Sequence, residues 1–314
     1  MTSFRYTGYP HNQESGFQIR DYIVMRAREI GEFLLYTSLF VGAGAVGMVY
    51  TSCFIQEVAW TGEVAAVMFM IAFSVYNLNR KTDEAEDEIN HERRFRITKK
   101  FQRHLVVAAV AAYLAALIIA ALHGAVAFCV TAVPLVSGIF YSVPVLPQRW
   151  GYRRLKEIPV LKNLVVSSAW ALSISLLPVY LSASAPTTAT LVTFVFIFSY
   201  VFVATVLPDI RDRAGDAASG VVTIPVLVGV DRSRILLTAG NMAAGAVILS
   251  LGRLVFPAGV VVVILCSLVY SQACILSIDR TERNNFLCDV ISDGQFLAIG
   301  GLCLLVLSFH LLNR

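Results

Sequence analysis

Residues 79–87 read Asn-Arg-Lys-Thr-Asp-Glu-Ala-Glu-Asp and follow directly on an apolar run that ends at Leu78. If the helix of that run continues, Asn79, Asp83 and Asp87 are spaced i, i+4 and i+8 and lie on one face. Carboxylates one turn apart repel each other by roughly a few tenths of a kcal/mol unless a cation lies against them. Mg²⁺ suits such a position, because it prefers carboxylate oxygens and can be shared with a bound diphosphate.

A second acidic stretch follows another long apolar run. Asp209, Asp212 and Asp216 are spaced i, i+3 and i+7, so they also share one face of a helix. Either stretch alone is equally well explained as a charged loop end exposed to water. Two such stretches at matching positions after apolar runs predict carboxylates that face each other across a cavity and bind metal. Asp83, Asp87, Asp212 and Asp216 are the predicted metal ligands and catalytic residues.

The composition is that of a protein embedded in a membrane. Of the 314 residues 57% are hydrophobic and only 15% are charged, and the mean hydropathy of +0.70 lies outside the range of water-soluble domains. Residues 1–32 carry charged side chains and no apolar core of signal-peptide length, so we expect no cleaved leader. The distribution of basic residues described below predicts that this N-terminal segment is cytoplasmic. The net charge of +4 is modest, and we expect no nucleic-acid partner.

Nine segments are apolar and long enough to cross a membrane, since a spanning helix needs about 20 mainly apolar residues. They lie at residues 33–54, 59–78, 104–122, 125–143, 163–182, 188–208, 235–252, 255–276 and 293–312. Gly/Ala-rich spans, such as the stretch 41–47, allow helices to pack closely. The sequence therefore predicts an all-α integral membrane protein whose helices form a bundle.

The distribution of basic residues predicts the orientation of the bundle. All of the 25 Lys and Arg residues except Arg253 and Arg314 lie in the N-terminal segment or in loops after even-numbered spans. By the positive-inside rule the N-terminus and the long loops are cytoplasmic and the C-terminus is outside. Four spans separate the two acidic stretches, so both face the cytoplasmic side, toward which a shared site would open.

Several segments resemble the UbiA superfamily of intramembrane prenyltransferases. The first acidic stretch, with Asn79, Asp83 and Asp87, and the stretch 209–229 resemble its two Asp-rich signatures. Residues 141–144 and 162–163 are similar to the segment that joins the family's fourth and fifth helices. The resemblance implies one prenyltransferase domain, residues 33–314, in which nine transmembrane helices surround a central cavity. Within that cavity Mg²⁺ would bridge a polyprenyl diphosphate to both sets of aspartates.

Further residues are candidates for binding the diphosphate or its prenyl chain. Asn79 and Asp209 would support the metal ligands in their respective sets. Arg93 and Arg94 follow the first stretch and suit bidentate phosphate contact, although anchoring to lipid headgroups explains them equally well. The other candidates are the loop residues Tyr141, Lys156 and Lys162. Tyr141 equally fits the aromatic belt at a membrane interface.

The predicted activity is an Mg²⁺-dependent prenyl transfer within a prokaryotic cell membrane. An isoprenyl diphosphate would ionise, and an aromatic or lipid-like acceptor would capture the allylic cation. Metal and basic side chains would stabilise the leaving diphosphate, and a dry aromatic pocket would hold the cation. A transporter or channel is the alternative, because acidic residues in membrane helices often mark ion pathways. A non-catalytic isoprenoid-binding protein is the third hypothesis. Neither the acceptor nor the branch of the family follows from the sequence.

Overall fold

The helices of this computed structural model account for the hydrophobic pattern of the sequence. The structure describes residues 13–82, 84, 88, 92–144, 147, 154–218, 220–252, 255–278 and 286–312. Within them the α-helices are, in chain order, α1 (Gln13–Tyr36), α2 (Leu39–Gln56), α3 (Gly62–Thr82), α4 (Glu92–Leu122), α5 (Ala125–Ser142), α6 (Leu161–Leu181), α7 (Thr188–Ala218), α8 (Ile224–Val228), α9 (Val230–Gly252), α10 (Ala258–Ser277) and α11 (Asp293–Leu312). A short 3-10 helix, Leu155–Glu157, precedes α6, and a π-helical segment, Leu287–Ser292, leads into α11.

Eight helical segments of the described chain are apolar and long enough to cross a membrane. They are α2, α3, α4, α6, α7, α9, α10 and the segment Leu287–Phe309. The predicted span 125–143 corresponds to α5, an apolar helix of 18 residues whose side chains are described over Ala125–Phe140. The prediction of an all-α membrane protein is therefore confirmed, with eight candidate spans in the described chain and α5 as a further apolar helix.

The first predicted span, 33–54, is wrong at its N-terminal end, because the helix is interrupted between the end of α1 at Tyr36 and the start of α2 at Leu39. Ser38 has a φ of 65°, in the left-handed region, where a continuous helix is impossible. The Arg80 guanidinium of α3 donates hydrogen bonds to the Tyr36 carbonyl and, at 2.8 Å, to the Ser38 hydroxyl. The last carbonyls of a helix have no partner within it, so Arg80 stabilises the end of α1. The membrane helix consequently begins at Leu39.

The second acidic stretch is helical, as predicted. α7 continues past Pro208 to Ala218 and therefore carries Asp209, Asp212 and Asp216 on one uninterrupted helix. α3 likewise continues through Asn79 and ends, among the described residues, at Thr82. Asp83 and Asp87 lie outside the described residues.

α2 and α11 pack with their backbones in contact at two glycines. A Cβ atom added to Gly300 would lie 2.8 Å from the Gly47 Cα, and one added to Gly47 would lie 2.6 Å from the Phe296 carbonyl oxygen. Such distances are far below a normal carbon contact of about 3.5–4.0 Å, so only glycine fits at either position. The Gly-rich stretch predicted to allow close packing does so at Gly47. This contact places the first turn of α11 beside α2, at the cavity described next.

Candidate functional site

A cavity of about 360 Å³ is lined by residues of α1, α2, α3, α4, α6, α7, the π-helical segment and the start of α11. Its polar lining residues are Tyr36, Asn79, Arg80, Arg94, Lys162, Asn163, Thr205, Asp209, Arg211, Asp289 and Asp293. Four of them, Asn79, Arg94, Lys162 and Asp209, are candidates predicted from the sequence. The structure thus brings together residues from both acidic stretches and from the loop between the fourth and fifth predicted spans.

Lys162 and Asp209 form an ion pair in the cavity wall. The Lys162 Nζ lies 2.6 Å from Asp209 Oδ1, and Asn163 Nδ2 donates a 3.0 Å hydrogen bond to Asp209 Oδ2. The Asp209 side chain is only 7% exposed and that of Lys162 is 17% exposed. Both Lys162 and Asn163 belong to the first turn of α6. Asp209 therefore fixes the Lys162 ammonium group at the surface of the cavity.

Arg211 connects the second acidic stretch to the π-helical segment that leads into α11. Its guanidinium contacts Asp212 through two hydrogen bonds, Nε to Oδ1 at 2.7 Å and Nη2 to Oδ2 at 2.9 Å, and its Nη1 donates a 2.7 Å bond to Asp289 Oδ1. Bidentate contact of this kind fixes the orientation of a carboxylate. Sequence reasoning missed Arg211, Asp289 and Asp293. The i, i+4 spacing of Asp289 and Asp293 before an apolar run is a signal from which these two residues could have been found.

Asp216 is the least satisfied carboxylate of the second acidic stretch. Its Oδ2 is buried and has no hydrogen-bond partner in the part of the chain that the structure describes. Lys162 is near enough to attract its negative charge, whereas Asp209 and Asp212 repel that charge. Burying a carboxylate oxygen without a partner is unfavourable, so this position favours a bound cation.

Oxygen donors of the kind that Mg²⁺ prefers are present in both acidic stretches. Asp216, which is not among the residues that line the cavity, has a buried carboxylate oxygen, and Asn79, which lines the cavity, has an amide oxygen. Among the described residues, no group of three or more His, Cys, Asp or Glu side chains lies close enough to hold a metal. The remaining predicted ligands, Asp83 and Asp87, fall outside that part of the chain.

The other predicted basic and aromatic residues differ in position. Arg94 lines the cavity, whereas Arg93 is 55% exposed, pairs with Glu32 at 2.7 Å and is not among the lining residues. Tyr141 lies at the end of α5 and Lys156 in the 3-10 helix before α6, but their side chains are outside the described part of the structure. The structure therefore brings one of the two adjacent arginines to the cavity.

Two titratable groups have pKa values shifted by their surroundings, one in the cavity lining and one in the first acidic stretch. Burial raises the pKa of the Tyr36 hydroxyl, and the negative charges of Glu32 and Asp289 add to this effect. Tyr36 is therefore a hydrogen-bond donor at neutral pH. A 3.0 Å hydrogen bond from Lys99 lowers the pKa of Glu84, which belongs to the first acidic stretch. This contact ties the residue following Asp83 to α4.

The opposite end of the cavity is apolar and aromatic. The rings of Tyr76 and Trp170 stack with centroids 5.9 Å apart and line the cavity. Both rings also line an adjoining pocket of about 40 Å³, together with Val41, Ala45, Met48, Ala72, Ile174, Val201 and Phe296. The cavity thus passes from charged groups at one end to apolar groups at the other, which suits a ligand with an anionic head and an apolar chain.

Comparisons with known proteins found one matching family model and several solved structures of similar fold. The model of the UbiA prenyltransferase family matches residues 34–300. The fold is similar to that of a UbiA homolog from Archaeoglobus fulgidus bound to GPP and Mg²⁺, with a TM-score of 0.64, 13% identity and coverage of 88% of this chain and 99% of that chain. The same homolog bound to DMAPP and Mg²⁺ gives a TM-score of 0.61, 14% identity and coverage of 87% and 98%. An apo UbiA homolog from Aeropyrum pernix K1 gives a TM-score of 0.64 and 14% identity, with coverage of 86% of this chain and 98% of that chain. A comparison with curated protein sequences gave no significant match.

Proposed function

Since the chain belongs to the UbiA prenyltransferase family, we propose that it transfers a prenyl group from an isoprenyl diphosphate to an aromatic or lipid-like acceptor. The observation that carries this proposal is a single cavity with Lys162 and Arg94 at its charged end and Tyr76 and Trp170 at its aromatic end. The homologs with bound DMAPP or GPP and Mg²⁺ support the class of the donor and the metal.

We assign the metal to the two acidic sets. Asp83, Asp87, Asp212 and Asp216 would hold Mg²⁺, with Asn79 as a supporting ligand. When bound, the metal supplies positive charge that stabilises the leaving diphosphate. The unpartnered oxygen of Asp216 supports this assignment.

Basic side chains hold the diphosphate beside these ligands. The Lys162 ammonium group, fixed by Asp209, and the Arg94 guanidinium line the charged end and contact phosphate oxygens. Asp209 acts as a supporting residue because its oxygens are engaged by Lys162 and Asn163. We also predict that Arg93, Tyr141 and Lys156 contact the isoprenyl diphosphate.

The aromatic end holds the prenyl chain and the cation that ionisation creates. Breaking the bond between C1 of the donor and the diphosphate oxygen leaves an allylic cation, which water would capture unproductively. Stacked π faces attract a cation, and an apolar enclosure excludes water. Tyr76 and Trp170 supply those faces at the point where the cavity becomes apolar.

We propose that the domain, residues 33–314, spans a prokaryotic cell membrane nine times, with α5 as the ninth crossing helix. Over its full length, Ala125–Ser142, α5 has 18 residues, as many as α2, which is among the candidate spans. The distribution of Lys and Arg supports a cytoplasmic N-terminal segment, an outer C-terminus and a site that opens toward the cytoplasm.

The test is a transfer assay with purified protein in lipid nanodiscs. The donor is radiolabelled geranylgeranyl diphosphate with Mg²⁺, and the acceptors are 4-hydroxybenzoate and an extract of membrane lipids. We expect pyrophosphate release and a product heavier than its acceptor by one prenyl group. Asp83→Ala and Asp216→Ala should abolish both while the protein stays folded, whereas Glu63→Gln, an exposed carboxylate at the far end of α3, should behave as wild type.

Two results would reject this function. Full activity of Asp216→Ala would remove the second acidic set from the site. Ion flux through proteoliposomes without any consumption of diphosphate would show a transporter instead.

A further inference from the structure

One carboxylate of the cavity has no role in the function proposed above. Asp293, the first residue of α11, lines the cavity. Asp209 is paired with Lys162 and Asp289 with Arg211, but within the described chain no hydrogen bond or ion pair reaches the carboxylate of Asp293. Its carboxylate is held inside the protein and faces the cavity.

The charged groups around Asp293 influence its carboxylate without forming an ion pair with it, so the carboxylate can contact a ligand. Arg80, Arg94 and Arg211 are near enough to attract its charge, and Asp289 repels it. Arg80 is engaged with the end of α1 and Arg211 with Asp289, so these guanidinium groups act on Asp293 from a distance. The carboxylate is consequently kept in place by the backbone of α11 and stays accessible.

Asp293 lies where the charged and apolar parts of the cavity meet. Phe296, one turn further along α11, lines the apolar pocket, and the Tyr76 ring, which is close to Asp293, lines both spaces. In a bound isoprenyl diphosphate, C1 is the atom that joins the anionic head to the apolar chain. The reacting carbon must therefore lie at this junction, within the part of the cavity that Asp293 borders.

We propose that Asp293 is the group that accepts the proton which the acceptor loses on prenylation, a step that rests on the function proposed above. The bond between C1 and the diphosphate oxygen breaks, and its electron pair leaves with the diphosphate. A new bond forms between C1 and a hydroxyl oxygen or a phenol ring carbon of the acceptor. The proton on that atom moves to the Asp293 carboxylate and then to water at the mouth of the cavity, so no oxidant or reductant is needed.

This role narrows the class of acceptor. A carboxylate at the reacting carbon serves an acceptor that carries a hydroxyl group, either a phenol or a lipid alcohol. The paired carboxylates are less suitable, because taking up a proton would break the contacts of Asp209 with Lys162 or of Asp289 with Arg211.

Separating the two half-reactions tests the proposal. With radiolabelled geranylgeranyl diphosphate, Mg²⁺, 4-hydroxybenzoate and membrane lipid extract, pyrophosphate release reports ionisation and the prenylated acceptor reports transfer. In Asp293→Asn we expect transfer to fall about 100-fold or more, the usual contribution of a general base, while pyrophosphate release stays within about threefold of wild type. Glu63→Gln is the matched control, and both rates should be those of wild type.

A second variant keeps the test decisive if the first does not fold. In Asp293→Ala, added formate should restore transfer without changing pyrophosphate release, because formate can occupy the vacated space as a base. Transfer at the wild-type rate in Asp293→Asn, an equal loss of both rates, or a folded Asp293→Ala that formate does not rescue would each overturn the role of Asp293. A wild-type enzyme that forms no prenylated product would refute the proposed function itself.

Discussion

Replacing Gly300 by alanine should destabilise the protein, whereas the same change at the adjacent Gly301 should have no effect. A Cβ atom at Gly300 would lie 2.8 Å from the Gly47 Cα and 2.9 Å from its carbonyl oxygen, and at Gly301 it would meet nothing within 4 Å. Both clashing atoms belong to the backbone, so no change of side-chain rotamer relieves the contact. α2 and α11 must separate by roughly 1 Å to restore a normal carbon contact. Overpacking of this kind costs about 1–3 kcal/mol.

The assay is thermal unfolding of both variants in the same detergent. For a domain of this size the loss corresponds to a fall in Tm of about 2–6 °C in Gly300→Ala. Pyrophosphate release should also fall, because α11 carries Asp293 and Phe296 to the cavity and a displaced helix moves both. If Gly300→Ala is as stable as Gly301→Ala, then α2 and α11 are not packed backbone to backbone and the cavity is not bounded as described.

Two further predictions concern the ion pairs of the cavity. Lys162→Met leaves Asp209 buried without a cation, which should lower the free energy of unfolding by about 3–5 kcal/mol; adding Asp209→Leu should restore stability in thermal unfolding but not pyrophosphate release. An unstable double variant would contradict this account. Arg211→Lys keeps the charge but loses the bidentate contact with Asp212, so we expect the Mg²⁺ concentration for half-maximal pyrophosphate release to rise about tenfold. An unchanged Mg²⁺ requirement would show that Arg211 does not orient a metal ligand.

Residue spacing predicted that Asp209, Asp212 and Asp216 share one face of a helix, because such a prediction depends on helix geometry alone. Intervals of three and four residues place Asp209, Asp212 and Asp216 on one face wherever the helix continues, and α7 does continue. Hydropathy nevertheless ended the predicted span at Pro208, ten residues before the helix ends at Ala218. Hydropathy indicates which residues lie in the lipid, whereas a helix ends where its backbone hydrogen bonds end. The two limits differ most at a polar site built on the end of a membrane helix.

The features that the sequence could not reveal are set by distant residues. No glycine or proline lies between Tyr36 and Leu39, and the break there is stabilised by Arg80, 44 residues from Tyr36 along the chain. The bridge from Arg211 to Asp289 joins residues that are 78 positions apart. Neither partner can be identified from local sequence, because a basic residue near a membrane boundary is equally explained by topology.

The charges around the cavity explain why a diphosphate would need a metal to bind. The described basic residues at or beside the cavity are Arg80, Arg94, Lys162 and Arg211, and the carboxylates are Asp209, Asp212, Asp216, Asp289 and Asp293. Fully ionised, these four cations and five anions carry a formal charge of −1, and Asp83 and Asp87 add to the negative side. Three of the carboxylates already engage Lys162 or Arg211. Under the proposed function a bare diphosphate would have to displace them and face Asp216, so we expect that divalent cations are needed for the anionic head to bind beside Lys162 and Arg94.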